Sequence, residues 1–361
     1  NCCVATIFCG SIAMHGLPSR RRALGALSAL SLVGVGTVLR ARAAGLGRIT
    51  VAVGARSAQP LRQLPLSVAE QLDFFRLEGL EVTTLDYASD MLALQALKQG
   101  VADVAAVGFE HALPTAAVPQ GLRSLVLQTR VPQMALAVSS KAAPTHRSVA
   151  DLRHARVGIA DFGSLGHAMA VLALNQAGVE GTEVAFVAVG EGERAQEALR
   201  TGQVQALCHS DAVLALLEHQ GEVRIVADAR GLLGSQAVFG GTLPGTCLLA
   251  PASFVQGQGP QAQALVHGLV HALKWLQTAE PADVVKRVPT SGLLAERSLF
   301  LAALARARDA MSPDGLMPED APRTALRALS VLNPAMAVRQ SDLARSYTQE
   351  FARKAKQKYS A

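Results

Sequence analysis

The residues best suited to binding or catalysis lie just after apolar runs that read as strands. In Asp161-Phe162-Gly163-Ser164-Leu165-Gly166-His167 such a run gives way to a helical pattern. Backbone N–H groups around Gly163, Ser164 and Leu165, the Ser164 hydroxyl and the helix dipole suit an anion, and His167 adds a donor. The same Ser164 also serves as an ordinary helix N-cap. Gly108-Phe109-Glu110-His111 follows another strand, at the carboxyl end where open α/β sheets place ligands. There Phe109 offers a ring for stacking and Glu110 an acceptor, or else Phe109 is core and Glu110-His111 opens the next helix. Arg130 suits a bidentate clamp on a carboxylate or sulfonate, or is an exposed hinge arginine. Arg56 and Gln59 follow the first strand, and Ser89-Asp90 opens a helix after the second. His209-Ser210-Asp211 closes a later strand, with Ser210 or Asp211 equally fitted to cap a helix.

Two enzyme motifs fail on inspection. A nucleophile elbow needs glycine where Phe162 stands. Gly190-Glu191-Gly192 follows a strand, but Ala195 occupies the third glycine position and two acids would repel a pyrophosphate. His267 and His271 are one helical turn apart and lack a third metal ligand, so they read as the flank of a packed helix. No catalytic residue, metal or other cofactor is expected.

The elements that would position these residues alternate. Residues 49–53 read as a strand, 66–78 as a helix stopped by Gly79, 81–87 as a strand, 90–99 as a helix capped by Ser89, and 103–107 as a strand. This is a right-handed βαβαβ unit in outline and predicts a mostly parallel sheet. A strand over 125–129 and a connection over 139–148 follow. A second unit runs through strands 156–160, 184–189, 204–208 and 224–227, with helices over 164–176, 193–201 and 211–219. After a Gly-rich stretch over 231–245 and an apolar run over 247–250, the pattern is helical, with Leu265, Leu269, Leu273 and Leu276 on one stripe. Further helices are expected over 295–310, 319–329 and 341–358.

Ala96-Leu97-Lys98-Gln99-Gly100-Val101-Ala102-Asp103-Val104 and Ala198-Leu199-Arg200-Thr201-Gly202-Gln203-Val204-Gln205-Ala206 spell the same helix, glycine stop and strand. The chain therefore reads as two similar α/β lobes facing across a cleft. Lobe 1 is assigned to 44–138 and 240–361, with the C-terminal helices packed on it, and lobe 2 to 139–239. The two connecting segments form a hinge.

Five of the 34 basic residues and none of the 28 acidic ones lie in residues 1–43. The remainder is close to neutral, which removes the main support for a nucleic-acid partner. Residues 1–43 read as an upstream extension and an export signal. Arg20, Arg21 and Arg22 precede an apolar run over 23–39, and Ala41-Arg42-Ala43 suits cleavage. The adjacent arginines suit the twin-arginine route. The alternative is a retained anchor, since 17 helical residues span about 26 Å. Residues 1–13 carry three of the five cysteines, leaving Cys208 and Cys247. An oxidising compartment permits a bridge between them, but two cysteines make no scaffold.

Phe74-Phe75-Arg76-Leu77-Glu78-Gly79-Leu80-Glu81-Val82, residues 93–107, Ser148-Val149-Ala150-Asp151-Leu152 with Val157-Gly158-Ile159, Gly163-Ser164 opening a helix, and residues 198–207 carry a resemblance in the correct order. The chain resembles the nitrate/sulfonate/taurine-type periplasmic substrate-binding proteins of ABC importers over nearly all of 48–335. The resemblance implies the two-lobed type II periplasmic binding fold and capture of a small organic anion, a sulfonate or carboxylate with or without an aromatic part. It also implies a monomer that delivers the ligand to a membrane permease with a cytoplasmic ATPase. The rival readings are a pyrimidine-synthase-like or menaquinone-pathway-like enzyme on the same fold, and an exported sensor domain.

Overall fold

The computed structural model describes residues 45–113, 121–288, 294–333 and 343–361. The basic head and its apolar run lie outside the described residues, as do the first two residues of the helix expected from 341.

Ten strands form two five-stranded sheets. They are β1 Arg48–Gly54, β2 Glu81–Tyr87, β3 Val104–Gly108, β4 Leu122–Leu127, β5 Met134–Ser139, β6 Arg156–Ile159, β7 Ala185–Ala188, β8 Ala206–Ser210, β9 Val223–Ala229 and β10 Thr246–Pro251. The first sheet has the order β2-β1-β3-β10-β4 and the second β7-β6-β8-β5-β9. The two orders are equivalent, and the repeated sequence pattern lands on equivalent places, leading into β3 and β8.

Each sheet is mostly parallel, as expected, with a single reversed strand. β1 runs parallel to β2 and β3, and β6 parallel to β7 and β8. β10 runs antiparallel to β3 and β4, and β5 antiparallel to β8 and β9. The reversed strand of each sheet is the one by which the chain enters it from the other. A chain arriving at the carboxyl edge of parallel strands has to run away from that edge.

The sheet membership moves the expected boundary. β5 lies in the second sheet, so the first crossing occupies 128–133 and not Ser139. The C-terminal helices do not all pack on the first lobe either. The helix Arg297–Ala310 contacts Asp211–His219, and Ala321–Ser330 contacts Leu165–Gln176, both on the second sheet.

Alternation along the strands builds two cores, one on each side. Val51, Val53, Val104, Ala106, Ala135, Ala137 and Leu207 face one. Ala52, Ala105, Val107, Leu136, Val138, Ile159 and Cys208 face the other. Burial on both faces is why these strands read as continuous apolar runs. Cys208 and Cys247 are free and buried in different sheets, so the permitted bridge is not formed. Burial pushes the Cys208 thiol up to about 12.

Three local readings change. The helix expected over 66–78 is broken into Leu64–Gln71 and Phe74–Leu77 by Asp73, which adopts φ 56°. β5 is a strand where none was expected. The Gly-rich stretch after 231 contains the helix Leu232–Phe239. Gly234 sits inside that helix because any Cβ would collide with the Asp228 carbonyl, so its small size permits the helix to lie close on β9.

The Leu265, Leu269, Leu273 and Leu276 stripe is buried, and the helix Gly259–Thr278 that carries it packs on the first-lobe helices and on the final helix Glu350–Tyr359. His267 and His271 lie on its flank, as expected. His271 stacks between Phe74 and Tyr359 with ring centroids 3.8 and 4.5 Å away. The Glu78 carboxylate meets His267 Nδ1 at 2.9 Å and accepts from Lys358 Nζ at 2.6 Å and from the Tyr359 hydroxyl. Burial lowers the His271 pKa. Burial alone would raise the Glu78 carboxyl, but its hydrogen bonds to Lys358, Tyr359 and His267 hold it below the usual range.

Both shifts act in the same direction. Below about pH 6.5 the unfolded chain protonates His271 more readily than the folded one. The Glu78 contribution is complete above about pH 4.3 and is lost as pH falls through its depressed folded value. Amide exchange across 350–359, corrected for intrinsic rates, is therefore expected to accelerate between about pH 7 and about pH 3.5 more than exchange in β1 and β3. Equal protection at both pH values would contradict this coupling.

No helix among the described residues is long and apolar enough to cross a membrane.

Candidate functional site

The parallel strands of both sheets run toward the crossings at 128–133 and 230–245, so the two carboxyl edges face one another. The Gln59 side chain, after β1, donates to Glu191 Oε2, after β7, at 3.3 Å. This hydrogen bond spans the two sheets.

The first-sheet wall is a charge cluster. Arg62 pairs with Asp90 Oδ1, and Asp90 Oδ2 accepts from the Gly108 N–H at 2.9 Å. His111 Nε2 lies 3.6 Å from Asp90 and 4.0 Å from Glu110. The Glu110 carboxylate lies over Gly108, where any Cβ would strike it, so glycine is needed for the carboxylate to fold back onto β3. Burial alone would raise the Asp90 carboxyl, but Arg62 and His111 hold it well below the usual carboxylate range. Burial opposes the charge on His111, yet its hydrogen bond to Asp90 and the charge of Glu110 raise its pKa. Asp90, Glu110 and His111 each offer a metal-ligand atom within 4.8 Å of the others. Arg62 and the Gly108 N–H already occupy Asp90, which leaves that set poorly suited to a metal.

At the crossing itself the polar groups are buried and unsatisfied. Gln128 is 0% exposed and Gln133 4% exposed, and neither amide has a hydrogen-bond partner. Thr246 is fully buried with its hydroxyl unpartnered. Thr246 pairs with Gly108 across β10 and β3, and the Gln128 N–H donates to the Thr246 carbonyl at 2.8 Å. Residues paired across a sheet point to the same face, so the Thr246 side chain lies on the face of β3 that the Glu110 carboxylate covers. Buried polar groups left without partners are rare in folded proteins, and these three lie together where the chain passes between the sheets.

The second-sheet wall starts at Ser164, whose hydroxyl accepts from the His167 N–H at 3.2 Å and so caps Leu165–Gln176. Gly163, at φ 79°, donates its N–H to His167 Nδ1 at 3.2 Å, and Leu165 is buried beneath the turn. The His167 ring sits edge-on to Phe162 and Phe186, and burial lowers its pKa. Nearby, His209 is almost fully buried. Its Nε2 donates to the Gly190 carbonyl at 2.9 Å while Nδ1 accepts from the Ser210 N–H at 2.9 Å.

Several expected contacts are occupied elsewhere. Phe109 is 0% exposed and belongs to the core, so its ring is not available for stacking. The exposed aromatic ring at this edge is Phe162, 60% exposed. Arg130 donates from Nε and Nη2 to the Asp309 carbonyl at 3.2 and 3.1 Å, capping a helix end instead of clamping an anion. Arg56 pairs with Glu70 at 2.6 Å and Asp86 at 2.9 Å. Ser89 accepts from the Leu92 N–H as an N-cap. Asp211 is buried between Arg230 and Arg306, at 3.3 Å from each. Gln59, Glu110, Ser164 and Ser210 remain at the facing edges. Sequence reasoning passed over Arg62, Glu191, Gln128, Gln133 and Thr246. Of these only Glu191 carried a visible signal, its glycine-flanked turn after a strand.

Two equivalent mixed α/β units with polar carboxyl edges turned toward each other define the fold of the periplasmic binding proteins. The chain belongs to the NMT1/THI5-like family, whose model matches residues 62–232. A structure from Bordetella bronchiseptica RB50 is 37% identical, with a TM-score of 0.78 over 87% of this chain and 98% of that one. The aliphatic sulphonate binding protein SsuA from Escherichia coli is similar in fold at 18% identity, with a TM-score of 0.64 over 85% of this chain and 99% of that one. The nitrate-binding protein NrtA from Synechocystis PCC 6803 matches at 14% identity, with a TM-score of 0.65 over 86% of this chain and 88% of that one. A search of curated proteins finds no match.

Proposed function

We propose that the chain is an exported solute-binding protein that captures a small organic anion, a sulfonate or carboxylate, between its two lobes and delivers it to an ABC permease. The observation that carries this reading is the group of buried, unpartnered polar side chains at the crossing, Gln128, Gln133 and Thr246. The relatives add weight, since SsuA binds sulfonates and NrtA nitrate. In this reading the helix start at Ser164 faces the acidic end of the ligand, Glu110 accepts from a donor on it, and Phe162 covers an apolar part. The lobes are the two sheets with their helices, hinged at 128–133 and 230–245. The protein acts in the periplasm as a monomer, without a cofactor and without nucleic acid.

Thermal unfolding of ligand-stripped residues 44–361 against sulfonates, aliphatic and aromatic carboxylates, nitrate, bicarbonate and neutral pyrimidines tests it. A ligand at a hundred times its dissociation constant is expected to add about 2.7 kcal/mol, a shift of a few degrees for a chain of this size. Ser164→Ala is expected to weaken binding of the responding anion roughly tenfold, the loss of about 1.4 kcal/mol of anion stabilisation. Response to neutral or cationic compounds alone would refute the anion. Recovery of the hit unchanged after prolonged incubation, by mass spectrometry, separates binding from catalysis.

A further inference from the structure

We infer that Glu191 is a positioning residue that holds the two lobes closed through Gln59, an inference that rests on the solute-binding reading above. Glu191 stands at the tip of the turn between β7 and the helix Glu193–Arg200, flanked by Gly190 at φ 76° and Gly192 at φ 64°. Two left-handed glycines in three residues fold the backbone tightly and push the side chain between them outward. Its carboxylate leaves its own sheet and accepts from Gln59 Nε2 at 3.3 Å. Ala58 lies against Gly192 on the same loop of the first sheet, so the approach is one of backbone as well as of side chains.

The turn is anchored from behind and attracted from in front. His209 Nε2 donates to the Gly190 carbonyl at 2.9 Å and sits 3.7 Å from Glu191 Oε2. Across the gap the Glu191 charge acts on the buried Arg62 guanidinium, which also carries Asp90 and Glu110 around it. Both participants lie in loops and have each other as partners, unlike the unpartnered groups at the crossing. Their contact therefore sets how long the lobes stay together rather than what is recognised between them. A hydrogen bond with one charged partner is of the size that shifts a two-state equilibrium severalfold.

The test uses the ligand-free protein, so it does not depend on finding a ligand. Spin labels at Lys98→Cys and Thr201→Cys, exposed positions in lobes 1 and 2, report the inter-lobe distance by pulsed electron resonance, with Cys2, Cys3 and Cys9 replaced by serine and with Cys208 and Cys247 buried. Glu191→Ala and Gln59→Ala are each expected to move at least half of the distribution to longer distances. Glu191→Gln keeps an acceptor for Gln59 but loses the charge, and is expected to open less than Glu191→Ala. An unchanged distribution in either alanine variant, or a Glu191→Gln variant that opens as far as Glu191→Ala, overturns the inference. Failure of the thermal-shift panel would instead count against solute binding and leave this result unaffected.

Discussion

Arg230→Ala is expected to be the most damaging single change outside the apolar cores, costing about 3–5 kcal/mol because it strips the buried Asp211 carboxylate of one of its two arginine partners. Arg230 is 5% exposed and holds three carboxylates at once: Asp211 at 3.3 Å, Glu218 at 2.8 Å and Asp228 at 2.6 Å. Asp211 is as buried and is left with Arg306 alone at 3.3 Å. The node joins β9, the helix Asp211–His219 and the helix Arg297–Ala310, so its loss loosens the C-terminal segment from the second sheet. The melting temperature is expected to fall by several degrees. The double variant Arg230→Met with Asp211→Asn removes both charges and should recover much of the loss. A single variant within a degree of the parent would show that the node contributes little.

The second large effect separates stability from binding. Gln128→Leu replaces a fully buried amide with no partner by an apolar group of similar size, and is expected to stabilise the ligand-free protein by about 1–3 kcal/mol. The same change should weaken binding of a ligand found in the thermal-shift panel by at least a hundredfold, because that ligand loses the amide and meets a methyl group in its place. Opposite signs in the two measurements are the signature of a group kept for function at the expense of stability. A Gln128→Leu variant that is less stable and binds normally would mean that the amide serves the fold.

Much of this architecture is legible in the residues. Alternating apolar runs, Gly79, Gly100, Gly178 and Gly202 as helix stops, and the doubled helix–glycine–strand pattern all fall where the strands and helices lie. Ser89 and Ser164 cap the helices they precede. What escaped has physical causes. β5 is a short apolar run with no polar alternation to mark a strand, lying between Pro132 and the connection over 139–148. The helix after Gly231 hides behind Gly234, whose small size serves packing on β9 rather than a turn. Phe109, Arg56 and Arg130 have the right residue types beside the right strands, but tertiary partners claim them. The buried amides at the crossing could not be singled out, because an unpartnered glutamine and a hydrogen-bonded one read alike until the surroundings are known.

The way each sheet is finished sets the order in which the chain can assemble. Every strand of the second sheet falls between Met134 and Ala229, so that sheet can form as soon as this stretch is available, before the helices 297–310 and 321–330 arrive to cover it. The first sheet has β3 and β4 early but lacks β10, which belongs between them, until residues 246–251 arrive. A growing chain thus holds an unfinished, edge-exposed first sheet while the second sheet already has all its strands. Such unpaired edges are where non-native association starts. During synthesis, the N-terminal portion of this protein is the part expected to need a chaperone most.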